Sequence, residues 1–277
     1  MSRAYRLMLQ GELVTLPYGR ERYATKRDAL DALEEELDAL EALDDGELAV
    51  VKVSRPDAEE AIGRFSRTGK MPGASWSLSA FECGVGGVLS KVPGSVCAKC
   101  YAQRGAYAWG STKKAMARRK VTIPTHAFQI DDPAWCEWID NFSDALEGET
   151  FFRWFDSGDL PGVDFALAVC EVADRTPGTA HWLPTKERAT VAELVKRRGA
   201  IPTNLCIRVS AYMRGESQSL GHLEKHGIVG STVSAPSPES FECEADKRDG
   251  QCGPCRACWK SSIKTVNYPG RWGADKV

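Results

Sequence analysis

The sequence predicts an α/β protein built around a partial or complete (β/α) barrel, with a small N-terminal α/β appendage and a C-terminal cysteine-rich segment. From about residue 80 onward, short apolar runs alternate with helical patterns, which is typical of βαβ units and a parallel sheet. Polar residues follow each apolar run, at the sheet edge where parallel α/β proteins bind ligands. We divide the chain into the appendage (1–70), the barrel (71–240) and the cysteine-rich segment (241–277).

The appendage contains no cysteine and is predicted to include a charged helix over residues 25–44. Leucines recur there at three- and four-residue steps, which places one apolar stripe along a helix. A strand is predicted at Leu48–Val53, and a second helix over about 57–66. The Gly- and Pro-rich stretch Thr68–Ser79 is then predicted to be an irregular linker that lies against the barrel.

In the barrel region, four apolar runs predict strands: Phe151–Phe155, His181–Leu183, Leu205–Val209 and Ile228–Val233. Helices are predicted between the first three strands, over about 162–175 and 187–198. Cys136 and Cys170 fall within helical patterns and Cys206 within a strand. Isolated cysteines of this kind are commonly small buried hydrophobic residues, so we assign all three to packing.

The charge balance, the lack of targeting signals and the cysteine content limit the classes of function that the sequence favours. The 36 basic and 38 acidic residues nearly balance, and the net charge of -2 gives no sign of a general attraction for nucleic acid or anionic membranes, which leaves a local basic groove as the alternative. The chain lacks both a signal-peptide pattern and a run of about 20 apolar residues, so we expect a cytoplasmic protein with no membrane partner. Disulfides are rare in that compartment. Among the ten cysteines, those that are clustered in the sequence are therefore predicted to be metal ligands.

The strongest signal is a cysteine quartet: Cys243, Cys252, Cys255 and Cys258. Eight residues separate the first two, and two residues separate each later pair. Four thiolates supply the complete ligation of one [4Fe–4S] cluster. Zinc is the alternative, although structural zinc sites usually use two separated cysteine pairs. We therefore predict a [4Fe–4S] cluster in this segment.

A cysteine trio, Cys83, Cys97 and Cys100, lies in a Gly-rich stretch just before the barrel strands and is followed by the aromatic Tyr101. A cluster held by three thiolates leaves one iron open to a substrate or cofactor. The alternative is a zinc site, or a structural cluster whose fourth ligand comes from elsewhere, for instance Cys206.

Other polar residues are weaker candidates for catalytic or binding roles. Asp156 and Asp159 flank a Ser-Gly turn after a predicted strand, where they could serve acid–base chemistry or simply form Asx turns. Lys186 follows the next strand and could pair with an anionic substrate or begin the next helix. Residues 113–120 (KKAMARRK) carry five positive charges on a predicted helix. That stretch could bind a phosphate backbone or form a solvated helix face.

Six segments of the chain resemble the phage gene-product-88-like proteins. They are SWSLSAFEC, PGSVCAKCYAQRGAY, KKAMARRK, FRWFDSGD, WLPTK and CGPCRACW. The resemblance covers roughly residues 70–268 and leaves the appendage outside.

That family is in turn distantly similar to radical S-adenosylmethionine (SAM) enzymes, which fold as a partial (β/α)6 barrel. In those enzymes three cysteines hold a [4Fe–4S] cluster and SAM binds its open iron. The resemblance implies that the trio holds such a cluster and that the quartet holds an auxiliary one. It also implies a cofactor site formed by Tyr101, Ser157, Gly158, Asp159, Lys186 and Ser210. In this chain, thirteen residues separate Cys83 from Cys97, where radical SAM enzymes usually have three. The aromatic Tyr101 follows the last cysteine, whereas in those enzymes the aromatic residue precedes it.

The preferred expectation is an enzyme that uses one or two [4Fe–4S] clusters and SAM for radical modification of a nucleotide or nucleic acid during phage infection. It would act in the host cytoplasm with an electron-donor protein. The alternative is a non-catalytic [4Fe–4S] protein that senses redox state or binds nucleic acid or protein. The second alternative is a zinc-stabilised binding module.

Overall fold

A computed structural model describes residues 5–9, 12–13 and 48–270, apart from residue 218. Near the N-terminus, β1 (Tyr5–Leu9) pairs antiparallel with both β2 (Glu12–Leu13) and β3 (Leu48–Lys52). The strand predicted at Leu48–Val53 is therefore confirmed. The helix predicted over residues 25–44 lies outside the described residues.

The larger sheet confirms the α/β class with a parallel sheet. Within the described residues it has seven parallel strands, in the order β4-β5-β6-β7-β8-β10-β9. The strands are β4 (Ala74–Trp76), β5 (Phe151–Trp154), β6 (Ala180–Thr185), β7 (Leu205–Ser210), β8 (Val229–Val233), β9 (Phe241–Glu242) and β10 (Thr265–Tyr268). The order is open, with β4 and β9 at its edges, and is compatible with a (β/α) fold.

The prediction of an irregular linker at Thr68–Ser79 is wrong in part, because this stretch contains the edge strand β4. Three residues are too few to show a strand pattern in the sequence. A Cβ at Gly73 would lie 1.8 Å from the carbonyl oxygen of Phe151, so only glycine lets the chain approach β5 this closely. Trp76, at the end of β4, is completely buried.

The helices are α1 (Arg55–Ala61), α2 (Gly84–Leu89), α3 (Gly110–Lys120), α4 (Pro133–Ala145), α5 (Val163–Arg175) and α6 (Arg188–Arg198). The predictions for α5 and α6 are confirmed, whereas α1 begins and ends earlier than predicted. Ser54 caps α1 and Asp132 caps α4, each with proline in the first turn. No helix within the described part of the chain is long and apolar enough to span a membrane.

One face of the large sheet packs against α4, α5 and α6. Phe152 and Trp154 of β5 project into this core, and the Trp154 ring stacks on Phe142 of α4 with centroids 4.5 Å apart. Phe65, which follows α1, packs 4.9 Å from Phe152. Cys170 of α5 lies in the same core. The division of the chain into three domains stays a prediction.

The opposite face is covered by the β9–β10 connection, residues 243–264. Trp259 in this connection packs 5.1 Å from Trp182 of β6 and 5.6 Å from Phe151 of β5. Its indole N–H donates to the carbonyl oxygen of Phe152 at 2.9 Å. The quartet lies within this crossover segment. The two faces of one sheet therefore serve different purposes: one buries the apolar core, and the other holds the cysteine-rich segment.

Candidate functional site

The three cysteines of the trio are neighbours in the long β4–β5 connection, although their side chains, all in the described part of the chain, do not stand in the arrangement of a metal site. The charges of Cys97 and Cys100 both raise the pKa of Cys83, and burial raises it most, to about 12. A Cβ placed on Gly86 would lie 3.6 Å from the sulfurs of both Cys83 and Cys97. The glycine therefore keeps open the space between these two sulfurs. The thirteen-residue gap between Cys83 and Cys97 contains α2, whose N-cap is Cys83.

The trio segment is fastened to the carboxyl-terminal edge of the parallel strands. Val85 donates its backbone N–H to Oε1 of Glu187 at 2.7 Å, just beyond β6. Val96 donates to the carbonyl oxygen of Tyr212, just beyond β7, at 2.9 Å. The Tyr212 hydroxyl in turn donates to the carbonyl oxygen of Lys186. These bonds place the trio at the edge where parallel α/β sheets bind ligands.

Two charged residues predicted as site residues lie close enough to affect the trio. Asp159 raises the pKa of Cys83, after the larger effect of burial. Lys186 acts in the opposite direction on Cys97: burial raises the pKa of that thiol, and the nearby ammonium lowers it. A cation at this position favours the thiolate form that binds metals.

Asp159 also has a clear local role. Its carboxylate accepts hydrogen bonds from Thr185 Oγ1 at 2.5 Å and from the backbone N–H groups of Lys186 and Leu160, both at 2.8 Å. Burial raises the pKa of Asp159, and these donors oppose the rise. The side chain therefore ties the turn after β5 to the end of β6. Sequence reasoning placed Asp159 at this edge but did not reveal these bonds.

The turn after β5 brings Ser157 and Gly158 against the end of β4. Gly158 has φ +79°, and a Cβ there would lie 2.7 Å from the carbonyl oxygen of Leu78, so the position requires glycine. The Ser157 hydroxyl is buried and has no hydrogen-bond partner among the described residues. Ser210 lies at the end of β7, where its Oγ accepts from Ser231 of β8 at 3.0 Å.

Tyr101 links the trio to Asp156. The Tyr101 ring is half exposed, but its hydroxyl reaches inward and donates to the carbonyl oxygen of Asp156 at 2.7 Å. Tyr107, which sequence reasoning missed, donates its hydroxyl to Oδ2 of Asp156 at 2.9 Å. The other carboxylate oxygen, Oδ1, is buried and lacks a hydrogen-bond partner in the described residues. An acceptor is thus left available beside the trio segment.

The quartet forms a second group. The charges of Cys252 and Cys255 raise the pKa of Cys243, and the charge of Cys243 raises that of Cys258, in each case after the larger effect of burial. Backbone bonds hold the segment: Cys243 donates to Asn267 of β10 at 2.8 Å, and Cys252 donates to Lys70 at 2.9 Å. Residues far apart in sequence therefore hold the backbone at Cys243 and Cys252.

Arg208 of β7 is the main anchor of the quartet segment. Its side chain is fully buried, and its three nitrogens donate five hydrogen bonds of 2.7–3.0 Å to backbone carbonyl oxygens. Four acceptors lie in the crossover and one in β8; they are Ala257, Cys258, Lys260, Ile263 and Gly230. Sequence reasoning missed this role, although an arginine inside the apolar strand LCIRVS is a detectable signal.

Positive charge surrounds the quartet. Burial raises the pKa of Cys252, and Arg153 of β5 lowers it. Burial raises the pKa of Cys258 to about 12, and the Tyr268 hydroxyl, 3.3 Å from its sulfur, and Arg208 oppose this rise. Arg153 lies over the Trp182 ring, 4.4 Å from its centroid. Sequence reasoning did not identify Arg153 or Tyr268 as neighbours of the cysteines.

No group of three or more histidine, cysteine, aspartate or glutamate side chains in the described parts of the chain stands in a position to hold a metal ion. The basic stretch forms most of α3, as predicted, but its five charges are not equivalent. Arg119 is 3% exposed and donates to the carbonyl oxygen of Arg64 and to Ser66 Oγ. The other four side chains are exposed: Lys113, Lys114, Arg118 and Lys120.

The sequence profile of one protein family, described as gene product 88, matches residues 67–261. This range includes both cysteine groups, the basic helix α3 and β4 to β9 of the parallel sheet. A comparison with curated proteins and with solved structures finds no match. The chain belongs to the phage gene product 88 family.

Proposed function

We propose that this chain is an iron–sulfur protein in which the quartet holds a closed [4Fe–4S] cluster and the trio holds a second cluster at a reactive site. The observation that carries the proposal is the difference in ligand number and position. Four thiols lie in a segment bound to the sheet face, whereas three lie at the carboxyl-terminal edge of the strands. Four thiolates complete a [4Fe–4S] cluster, and three leave one iron without a protein ligand.

The residues around the quartet fit an anionic cluster. A [4Fe–4S] centre with four thiolates carries net negative charge, and a buried negative charge needs a cationic partner. Arg153 and Arg208 meet that need, because both favour the charged form of neighbouring thiols. Burial raises the pKa of the Cys258 thiol to about 12, and iron, when bound, would supply the remaining stabilisation of its thiolate.

The residues around the trio fit a small ligand at an open iron. Lys186 supplies a positive charge beside Cys97, suited to a carboxylate or to the thiolate itself. Ser157 offers a hydroxyl without a partner in the described residues, and Gly158 leaves room for close approach of the chain. When bound, a cluster of this kind supplies one electron for reductive cleavage of SAM. The Asp159 carboxylate already accepts hydrogen bonds from Thr185 and Lys186 at the end of β6, so its proposed role is to position Lys186.

The reaction class that we propose is radical modification of a nucleotide or nucleic acid, in the cytoplasm of the host cell. Such chemistry requires an electron-donor protein, because the chain's own clusters must be reduced in each cycle. The parallel sheet and the trio at its carboxyl-terminal edge support this proposal. A redox-sensing or binding protein without catalysis remains the second candidate, favoured by the closed quartet alone.

Anaerobic purification followed by iron, sulfide and zinc analysis tests the clusters. We expect about eight irons per chain, with matching sulfide and a broad absorbance near about 400 nm. Cys136→Ser is the matched control, since Cys136 is a buried cysteine in α4 outside both groups, and it should retain the full iron content. Zinc without sulfide or visible absorbance would overturn the proposal and favour a zinc-stabilised binding module.

Incubation with SAM and a strong reductant tests the reaction. The iron-loaded protein should release 5′-deoxyadenosine, and Cys97→Ser should not, because it lacks one ligand of the trio. Cys136→Ser should form the product at the rate of the unmodified chain. A protein that holds both clusters and forms no 5′-deoxyadenosine would contradict the enzymatic proposal and favour the non-catalytic candidate.

A further inference from the structure

We propose that a groove along α3 binds single-stranded nucleic acid, with one base in a polar cavity beside Asp156 and the adjoining strand on exposed lysines and aromatic rings. The inference names the substrate class of the proposed function and rests on that function only for the chemistry that follows binding.

The inner end of the groove is a cavity of about 270 Å³ between α3 and the ends of β4 and β5. Its lining includes Ser77, Tyr107, Met116, Arg119 and Asp156. Pockets for drug-sized ligands typically enclose about 300–1,000 Å³. This cavity is therefore the size for one ring system, such as a nucleobase, and not for a whole folded partner.

Two buried acceptors in the lining lack partners within the described residues. Asp156 is 6% exposed, and its Oδ1 makes no hydrogen bond. Ser77 is 1% exposed, and its Oγ makes none either. A buried polar atom without a partner is costly, so these atoms favour a ligand that donates hydrogen bonds. The N–H groups on the edge of a base are such donors, and carboxylates accept from them.

The positive charge of Arg119 offsets the negative charge of Asp156 in the lining of this cavity. Its guanidinium is held by Arg64, Ser66 and the carbonyl oxygen of Ser77, so it stays beside the cavity. Met116, on the same helix, offers an apolar surface to a flat ring. The lining thus combines an apolar surface, a fixed cation and free acceptors. Those are the features needed to hold an aromatic heterocycle by its edge and its face.

A second recess of about 330 Å³ continues the groove on the outer side of α3 and shares Met116 with the cavity. It includes Phe81, Lys113 and Lys120, and Lys113 Nζ lies 5.5 Å from the Phe81 ring centroid. Phe81 is 58% exposed, and Trp109, just before α3, is 64% exposed. Exposed aromatic rings beside cations are the arrangement that proteins use to bind single strands, since bases stack while lysines contact phosphates.

The charge of α3 is available for such a partner, unlike that of α6. The last turn of α6 carries Lys196, Arg197 and Arg198, and each of them pairs with a carboxylate. On α3, the one ion pair found within the described residues joins Lys120 to Glu82. The chain as a whole carries a net charge of -2, so the attraction for a nucleic acid must come from a local group of cations such as those on α3.

Fluorescence anisotropy with the anaerobically purified full chain tests the inference. A labelled single-stranded oligonucleotide should bind at least about tenfold more tightly than the same sequence as a duplex, because only a single strand can place a base in the cavity. A mononucleotide should bind more weakly than the single-stranded oligonucleotide, since it lacks the adjoining phosphates. Polyglutamate controls for simple charge attraction. Equal binding of duplex, or of a polyanionic peptide in place of the oligonucleotide, would overturn the proposal.

Variants separate the two parts of the groove. Lys113→Ala with Lys120→Ala removes the two lysines that line the outer recess, and it should lower the slope of log affinity against log salt by about 1.4, because two phosphate contacts are lost. The matched control is Lys225→Ala with Lys264→Ala, two exposed lysines that precede β8 and β10, away from β4 in the sheet order. An equal salt slope in both double variants would contradict the assignment of phosphates to α3.

Ala115→Leu fills the cavity from α3 without weakening the helix, and Trp109→Ala removes an exposed ring. Each should weaken single-strand binding about tenfold and leave the salt slope unchanged. Unchanged affinity in Ala115→Leu would refute the base-binding cavity, and unchanged affinity in Trp109→Ala would refute stacking of a base on the exposed ring. Iron content and single-strand binding are also measured on the unmodified chain: full iron without binding refutes this inference alone, and intact binding without iron refutes the proposed function alone.

Discussion

The trio and the quartet offer the same ligand chemistry in contrasting surroundings. The quartet lies against a sheet face, where Arg208 fixes its segment with five hydrogen bonds and the Tyr268 hydroxyl contacts a cysteine sulfur. The trio lies at the strand edge beside ionisable side chains and hydroxyls, including Asp159 and Lys186. On the proposed function, the number of thiols and the residues that surround them together distinguish a supporting cluster from a reactive one.

The largest expected effect comes from Arg208→Met. The substitution removes a buried cation and leaves five carbonyl oxygens without their donor, so we expect the free energy of unfolding to fall by about 3–5 kcal/mol. The quartet should lose its iron first, because its segment loses the anchor. Urea denaturation and iron analysis measure both effects.

Arg197→Met is the control for that substitution. Arg197 lies on α6 and pairs with Glu193 and Asp164 at the surface, so its loss should cost less than about 1 kcal/mol. Equal destabilisation by the two arginine substitutions would show that Arg208 is not a special anchor, and the contrast between the cysteine groups would weaken.

Asp159→Ala should have an intermediate effect and act on the trio side. Three donors lose their acceptor, two of them backbone N–H groups, and we expect a loss of about 2 kcal/mol in unfolding free energy. Because Asp159 sets the position of Lys186, the yield of 5′-deoxyadenosine should fall more than the iron content. Asp159→Asn, which keeps one acceptor, should restore part of the stability. Loss of quartet iron instead would contradict the separation of the two groups.

Tyr268→Phe should have the smallest effect, confined to the quartet. It removes a hydroxyl 3.3 Å from the Cys258 sulfur and should change stability by about 1 kcal/mol. Hydrogen bonds to cluster sulfurs raise the reduction potential, so the potential of one cluster should fall while the other stays unchanged. Tyr212→Phe, whose hydroxyl bonds a backbone carbonyl near the trio, is the paired control. A redox titration in which both potentials move in Tyr268→Phe would count against two independent clusters.

Local patterns in the sequence were enough to predict four strands of the large sheet, both helices between them and the two cysteine groups. Runs such as Phe151–Phe155 are rich in apolar residues, with Arg153 as the exception, because both faces of a parallel strand are covered. The edge strand β4 and the late strands β9 and β10 escaped prediction, since they are short and depend on pairing with distant residues.

The neighbours of the cysteines were the least predictable part of the site. Arg208 and Arg153 lie on strands far from the quartet in sequence, and they meet it only because the β9–β10 connection crosses the sheet face. Ser77 and Asp156 share a cavity only because α3 packs over two adjacent strand ends. Spacing in the sequence can indicate ligands, whereas the charges and hydrogen bonds that tune them come from tertiary packing.

The most direct test of the two-cluster account compares Cys97→Ser with Cys252→Ser, both purified anaerobically and analysed for iron, sulfide and unfolding free energy. Each variant should retain about four of about eight irons. Cys252→Ser should also lose stability, because its segment covers the sheet face, while Cys97→Ser should unfold nearly as the unmodified chain does. Loss of all the iron in either variant, or equal loss of stability in both, would contradict two separate clusters with distinct roles.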